Sequence, residues 1–490
     1  MLMQKTTKIL VDKILSFRTL QFILLLFCYL ETFACLKQVN EGFGICHVTG
    51  TTSSSVELSL CLTMCLPVLL WNSLEVLHWR EKFVVERIFV LSCCVCTLCT
   101  VVLIALLSSR ASWLASIIGC GYVCCQKVLS CCRNIRAKKW LMVVAFSVVC
   151  LIVVVLYFIR TNSADGRLLI WKVTANEMLD GDVTLLPRDV TFSVFYGNAQ
   201  ERYFSECQRP LREQMLAGIP DNAYNEWLQM TVEWGCLIAG AALIALILVI
   251  NYLRKSRLLD SVPLLGCMWT FVVLSLLSYP LRCSTSLCVA LFVLAFAVAI
   301  CVRYKILRLC LVMLAIVALP VKAVIDSRHI GLRQKALEQC SQLDIRCAYE
   351  DSGKYIDCYK RLKQYIGEEP EYLLAYAKAL YDTRKYNQSR QLLRKAQKIS
   401  GDPVFYLIEG KCREAQKCYS EAEGLYKKAY YRIPHKIYPL YLLMNLYKQQ
   451  HKYDLAGRIA KVILHKKPKV ESEEFDFIQG EAWIYLNQSK

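Results

Sequence analysis

The chain has 490 residues, of which 56% are hydrophobic and 20% charged, with a mean hydropathy of +0.36. It is too apolar for an ordinary water-soluble protein and long enough for more than one domain. Its formal charge of +19 gathers in short loops between apolar runs, a pattern selected by anionic lipid headgroups and the positive-inside rule and not by nucleic acid.

Charged residues are scarce over the first two thirds and dense after Asp326, so two solvents are implied. Most of the 27 cysteines lie inside apolar runs, such as Cys93, Cys94, Cys96 and Cys99, where a thiol behaves as a small hydrophobe. No CxxC pair in a polar setting suggests zinc. Cys46, Cys207, Cys340, Cys347, Cys358, Cys412 and Cys418 lie in aqueous segments and could pair in an oxidising compartment, in a connectivity that spacing does not reveal.

At the N-terminus, Lys5, Lys8, Lys13 and Arg18 precede an apolar run from Thr19 to Phe33. The length of that run and the lack of a small-x-small cleavage site favour an uncleaved first span over a signal peptide. Nine windows approach the roughly 20 apolar residues that a helix needs to cross about 30 Å of hydrocarbon. They are 18–36, 56–76, 88–108, 111–126, 140–159, 234–252, 262–279, 285–302 and 307–324.

Basic residues orient this set. They cluster before the first window, at Arg80, Lys82 and Arg87, from Lys127 to Lys139, at Arg254, Lys255 and Arg257, and at Arg303, Lys305 and Arg308. With nine spans all of these fall on one side, predicted cytoplasmic together with the N-terminus. The C-terminal region and three further segments then face outward, into the periplasm of a bacterium: Leu36 to Ser55, the turn around Arg110, and the long loop over 160–233. A loop of this length exceeds a simple connector and is expected to carry structure or function of its own.

Candidate chemistry concentrates on that outer side. Arg110, in LLSSRASWL, reads either as an interfacial arginine snorkelling outward or as an anion clamp, since a guanidinium binds phosphate oxygens in bidentate fashion. Arg167, in SADGRLLIWKV, follows Asp165 and Gly166, which resemble a helix N-cap, with Leu168, Leu169 and Trp171 as an apolar face. Two outer arginines near membrane level would suit a lipid-linked pyrophosphate. DNAYNEWLQMTVEWG, Asp221 to Gly235, reads as an amphipathic helix leading directly into the sixth span, with Glu226 and Glu233 seven apart on one face as general bases, arginine partners or caps. No nucleophile–histidine pair, Gly-rich phosphate loop or metal motif is present, so neither metal nor organic cofactor is expected.

Beyond Leu337 the pattern repeats every 33 or 34 residues. Tyr386, Tyr419 and Tyr453 align; Ser389, Ala422 and Ala456 follow, then Ala396, Ala429 and Ile463, and then Gly401, Pro434 and Pro468. Small residues suit close helix crossings, and Gly or Pro breaks the chain before the next copy. A degenerate copy surrounds Tyr355, Cys358 and Pro370. These copies resemble tetratricopeptide repeats, whose stacked helix pairs present a face for a peptide or another subunit, or hold a membrane complex in place. The predicted fold is all-α: a polytopic helical membrane bundle over 1–326, including the loop 160–233, followed by a tetratricopeptide-like solenoid over 327–490.

From Val48 onward, TGTTSSSVELSLCL, SSRASWL, SADGRLLIWKV, AYNEWLQMTVEWG, SYPLR and PHKIYPLYLLMNLY together resemble the O-antigen ligase and polymerase family of bacterial envelope glycosyltransferases, in the forms that end in tetratricopeptide repeats. The resemblance implies transfer of glycan from a polyprenyl pyrophosphate carrier to an acceptor hydroxyl at the outer face of the inner membrane, without metal. It gives Arg110 and Arg167 the pyrophosphate and places the acceptor-activating pair at Tyr224 and Asn225. The family has histidine where this chain has Tyr224, and tyrosine is a poor base at neutral pH. Glu226 is the expected substitute, and a non-catalytic scaffold that recruits envelope partners through its repeats is the alternative. The family also has several spans before the TGT segment, where this chain has one. His47 and His329 fall outside the family motifs and read as surface histidines.

Overall fold

The computed structural model describes residues 17–44, 47–76, 83–131, 135–159, 161–182, 190–256, 261–301 and 331–488, which form helices joined by turns with no strand among them. The chain divides into two units. The first comprises Met1–Thr161, Tyr224–Trp227 and Ile238–Asp326, and the second comprises Asn162–Ala223, Leu228–Leu237 and Ser327–Lys490.

In the first unit lie α1 (Phe17–Asn40), α2 (Ser55–Ser73), α3 (Val84–Leu106), α4 (Arg110–Cys131) and α5 (Ile135–Ile159). Among the described residues, five helical stretches are long and apolar enough to cross a bilayer: Arg18–Asn40, Ser55–Val76, Val84–Leu106, Arg110–Leu129 and Glu226–Ser256. A sixth is reached if α5 and the helix that follows it count as one broken span. The windows at 262–279 and 285–302 also fold as apolar helices, but α10 (Ser261–Leu277) and α11 (Ser284–Cys301) are shorter. Seventeen residues of α10 reach only about 25 Å, less than the hydrocarbon thickness. The window 307–324 lies outside the described residues, as do Arg257, Arg303, Lys305, Arg308 and His329.

Burial sorts these helices. In α2, 83% of the span is buried, against 17% in Glu226–Ser256, so α2 is the centre on which the others pack. Val84, Val85, Ile88, Leu91, Val95 and Leu98 of α3 are exposed, as a lipid-facing surface requires, since the tails are as apolar as the side chains. Ser54 starts α2: its hydroxyl accepts from Glu57 N–H at 3.2 Å while the Glu57 carboxylate accepts from Ser53 N–H at 3.0 Å, a reciprocal N-terminal cap. Where α4 crosses α10, Gly119 and Gly266 face each other. A methyl group on Gly266 would stand 2.8 Å from Val123 and 2.9 Å from Pro67 of α2. The crossing therefore depends on absent side chains, the common solution for helices packed in lipid.

The second unit contains α6 (Thr161–Glu177), α7 (Phe192–Glu206), α8 (Leu211–Leu216), α12 (residues 331–347) and α13 (Ile356–Ile366). Helical hairpins follow: α14 (Pro370–Asp382) with α15 (Tyr386–Gln397), α16 (Pro403–Ala415) with α17 (Tyr419–Arg432), and α18 (Tyr438–Gln449) with α19 (Tyr453–His465), closed by α20 (Glu473–Gln488). The sequence period is legible in the backbone. Tyr386, Tyr419 and Tyr453 each open the second helix, and Pro370, Pro403 and Pro439 each sit in the first turn of the first helix, where a missing N–H costs nothing. Ser389, Ala422, Ala456, Ala396 and Ile463 are fully buried and Ala429 nearly so.

The turns inside the hairpins are also copies of one another. Arg384, Lys417 and His451 have φ of 60°, 63° and 59°. The residue after each donates its N–H back to a carbonyl five positions earlier: Lys385 to Leu380, Cys418 to Arg413 and Lys452 to Tyr447. This is the Schellman ending, built here three times without glycine.

The remaining helix, α9 (Glu226–Ser256), is broken at Gly235, whose φ of 83° no helix contains. Its residues Glu226 and Trp227 belong to the first unit, and its apolar part from Ile238 does too.

Candidate functional site

In the first unit the sequence-predicted triplet Tyr224, Asn225 and Glu226 forms one turn. Tyr224 has a φ of 53°, a conformation that costs a non-glycine residue about 1–2 kcal/mol and commonly marks a functional position. Its ring meets Tyr279 edge-on at 5.6 Å. Glu226, the first residue of α9, is 1% exposed. One carboxylate oxygen accepts from Leu281 N–H at 2.7 Å and the other lies 4.0 Å from the Arg282 guanidinium. Trp227 donates to the Ser275 hydroxyl at 3.1 Å. The turn thus holds the segment that runs from Ser275 through SYPLR.

The far end of that segment is held by a second buried carboxylate. Glu57, fully buried, accepts from Thr285 N–H at 2.7 Å. Cys283, between the two holds, has its thiol pushed up to about 12 by burial, then by Glu57 and Glu226, so it stays protonated and unreactive at neutral pH. Glu31 completes the set, accepting from Thr51 N–H at 2.9 Å and from the Thr51 hydroxyl, while Gln38 bonds the backbone of Thr49 and Gly50. The TGTTSSS segment is therefore tied down by buried polar groups of α1 and α2.

Arg110 opens α4 and is half-buried, donating to the Leu156 carbonyl at 3.1 Å. Its neighbour Ser112 is fully buried, in hydroxyl contact with Ser109 and Ser59 at 2.9 Å each. Arg282 is a further cation of this unit, 29% exposed at its side chain. The charge in SYPLR was its only sequence signal; its pairing with Glu226 joins residues 56 positions apart and has no local signature.

Arg167 lies in the second unit, half-buried on α6. The expected N-cap at Asp165 and Gly166 is not formed, because α6 begins at Thr161 and both residues are inside it. Asp165 instead pairs with Arg212. The apolar face also shifts: Leu169 and Val173 are buried whereas Leu168 is 50% exposed, and Trp171 donates to the Ala223 carbonyl at 2.9 Å. Glu233 accepts from Phe192 N–H and from Gln229, both at 3.1 Å, so it serves the start of α7.

The long loop is anchored to the repeated hairpins through Arg432, which is 1% exposed. Its guanidinium donates to the Gly401 carbonyl at 2.7 Å and to Asn198, pairs with Glu201 at 3.3 Å, and lies over the Tyr406 ring at 4.3 Å. Thr191 donates to the Ile399 carbonyl at 2.8 Å and Ser193 accepts from Gly401 N–H at 3.1 Å. His435, its pKa lowered from 6.5 chiefly by burial, contacts the Gln214 carbonyl at 3.1 Å.

Cys207, Cys340, Cys347, Cys358, Cys412 and Cys418 are free thiols, and Cys46 lies outside the described residues. His47 is exposed. Among the described residues, no group of three or more His, Cys, Asp and Glu side chains is placed to hold a metal ion. The sequence matches no family model and no curated protein.

Proposed function

We propose that the chain is a multi-pass protein of the bacterial inner membrane and a glycosyltransferase of the O-antigen ligase and polymerase type, acting in cell-envelope polysaccharide assembly. Its N-terminus is cytoplasmic and its repeats, read as tetratricopeptide repeats from their 33–34 residue period and recurring left-handed turn, are periplasmic. The observation that carries the catalytic reading is the strained Tyr224 turn, which sets a buried carboxylate, Glu226, beside Arg282. In this reading Glu226 takes the proton of the acceptor hydroxyl as its oxygen bonds to the anomeric carbon. The bond from that carbon to the pyrophosphate oxygen breaks, and the polyprenyl pyrophosphate leaves with the electron pair. Arg110 holds that anion, a task the family resemblance gives also to Arg167, and Tyr224 and Asn225 orient the acceptor.

A deletion strain stained for surface glycan tests this. Wild type restores the glycan, while Glu226→Gln, at equal protein level, leaves transfer down by about a hundredfold or more. Full rescue by Glu226→Gln removes Glu226 as the base, and full rescue by Arg167→Ala as well removes the catalytic reading altogether. The second reading, a non-catalytic membrane scaffold, is favoured by one observation: Glu226 already serves Leu281 N–H, a purely architectural duty. It predicts rescue by both variants.

A further inference from the structure

A groove of about 790 Å³ opens in the second unit, between residues 204–214 of the long loop and the helices α17, α18 and α19. Its floor includes Leu211 and Val462, exposed by 48% and 41%. Its walls carry Arg209, Lys461 and Lys466, together with Lys427, which pairs with Glu423 at 2.5 Å, and one lining carboxylate, Glu206. Among the described residues no salt bridge is formed by Arg209, Lys461 or Lys466, while Glu213 is close enough to feel the Arg209 charge. Arg209 lies over the Tyr203 ring at 3.8 Å and donates to the Tyr203 carbonyl, while Lys466 lies over the Tyr430 ring at 5.2 Å and donates to the neutral Gln214 side chain at 2.9 Å. Burial lowers the Lys466 pKa, a cost that an incoming anion would offset.

The two features select the occupant together. Walls with an excess of cations call for carboxylates, and an exposed aliphatic floor calls for apolar side chains. An acidic glycan meets the first demand and fails the second, because its hydroxyls would lose water over leucine and valine without gaining partners. We infer that this groove, built jointly by the long loop and helices α17, α18 and α19, docks an acidic, leucine-bearing peptide segment of a protein partner. The inference is independent of catalysis at Glu226 and gives the repeats of either functional reading a specific ligand chemistry.

The test uses the full chain in detergent micelles and a short fluorescein-labelled peptide that alternates glutamate and leucine, read by anisotropy. Saturable, salt-sensitive binding is expected, weakened about tenfold by Lys461→Glu and comparably by Leu211→Asp, with melting unchanged in both exposed-site variants. Lys466→Gln removes the charge and with it the contact over Tyr430, and should weaken binding in the same direction. The inference is overturned if a glutamine–leucine peptide binds equally well, if none of the variants changes affinity, or if oligogalacturonate or anionic vesicles bind more tightly in a Lys461-dependent way.

Discussion

The two units bury charge in opposite ways. In the membrane unit the buried ions are carboxylates, Glu31, Glu57 and Glu226, met mainly by backbone N–H groups and hydroxyls of short loops. In the repeat unit the central buried ion is Arg432, met by a carboxylate, an amide oxygen, a carbonyl and an aromatic face. Glu409 there is held by Arg390, Arg394 and Gln397. The exteriors are opposite as well: α3 turns valine and leucine outward, whereas α15 exposes Gln388, Gln391, Arg394 and Lys395. A carboxylate can be satisfied by loop N–H groups where few side-chain cations are at hand, so a lipid-facing bundle tolerates it. A buried guanidinium, with five donors, needs several acceptors from different elements and thereby ties those elements together.

That contrast can be broken experimentally. Arg432→Met should cost about 3 kcal/mol, because it leaves the buried Gly401 carbonyl and the half-buried Glu201 carboxylate without their partner. Thermal melting of the full chain in detergent should show this as the largest loss, and a shift within error would mean that Arg432 does not bind loop to hairpins. Gly266→Val should cost about 1 to 3 kcal/mol by forcing α4 and α10 apart. Its signature is different: Cys267, 1% exposed in the native chain, becomes reactive to maleimide while the hairpins keep their resistance to protease. Unchanged labelling would refute the close crossing. The smallest effect has the opposite sign. Lys417→Gly should stabilise by about 0.5 to 1 kcal/mol, as glycine relieves the left-handed turn at a smaller entropic cost. Arg384→Gly and His451→Gly should behave alike, and divergent signs would show that the three turns are not equivalent.

How much could be read in advance depended on distance along the chain. The helical class and the membrane-length apolar stretches rest on neighbours within a few turns, and the 33–34 residue period on the recurrence of such local patterns, so all are visible in a string of letters. The helix expected over DNAYNEWLQMTVEWG forms only from Glu226 onward, because Tyr224 takes a left-handed backbone conformation just before it. Local reasoning failed at Asp165, which has the chemistry of a cap but lies inside α6, where Arg212 engages it. It also failed to find Arg282, a basic residue at the end of a short loop with nothing nearby to single it out.

The sequence by itself determined that the chain is helical, that part of it suits lipid and part suits water, and where the repeated turns fall. Periodicity, capping residues and local charge suffice for that, because backbone hydrogen bonds in helices are short-range. Only the tertiary structure decided that the long loop is anchored on the hairpins, through Arg432 and residues 231 and 234 positions away, and that Glu226 meets Leu281 and Arg282. Those pairings are chosen by which polar groups must find partners once water is removed, and that choice exists only after distant segments have come together.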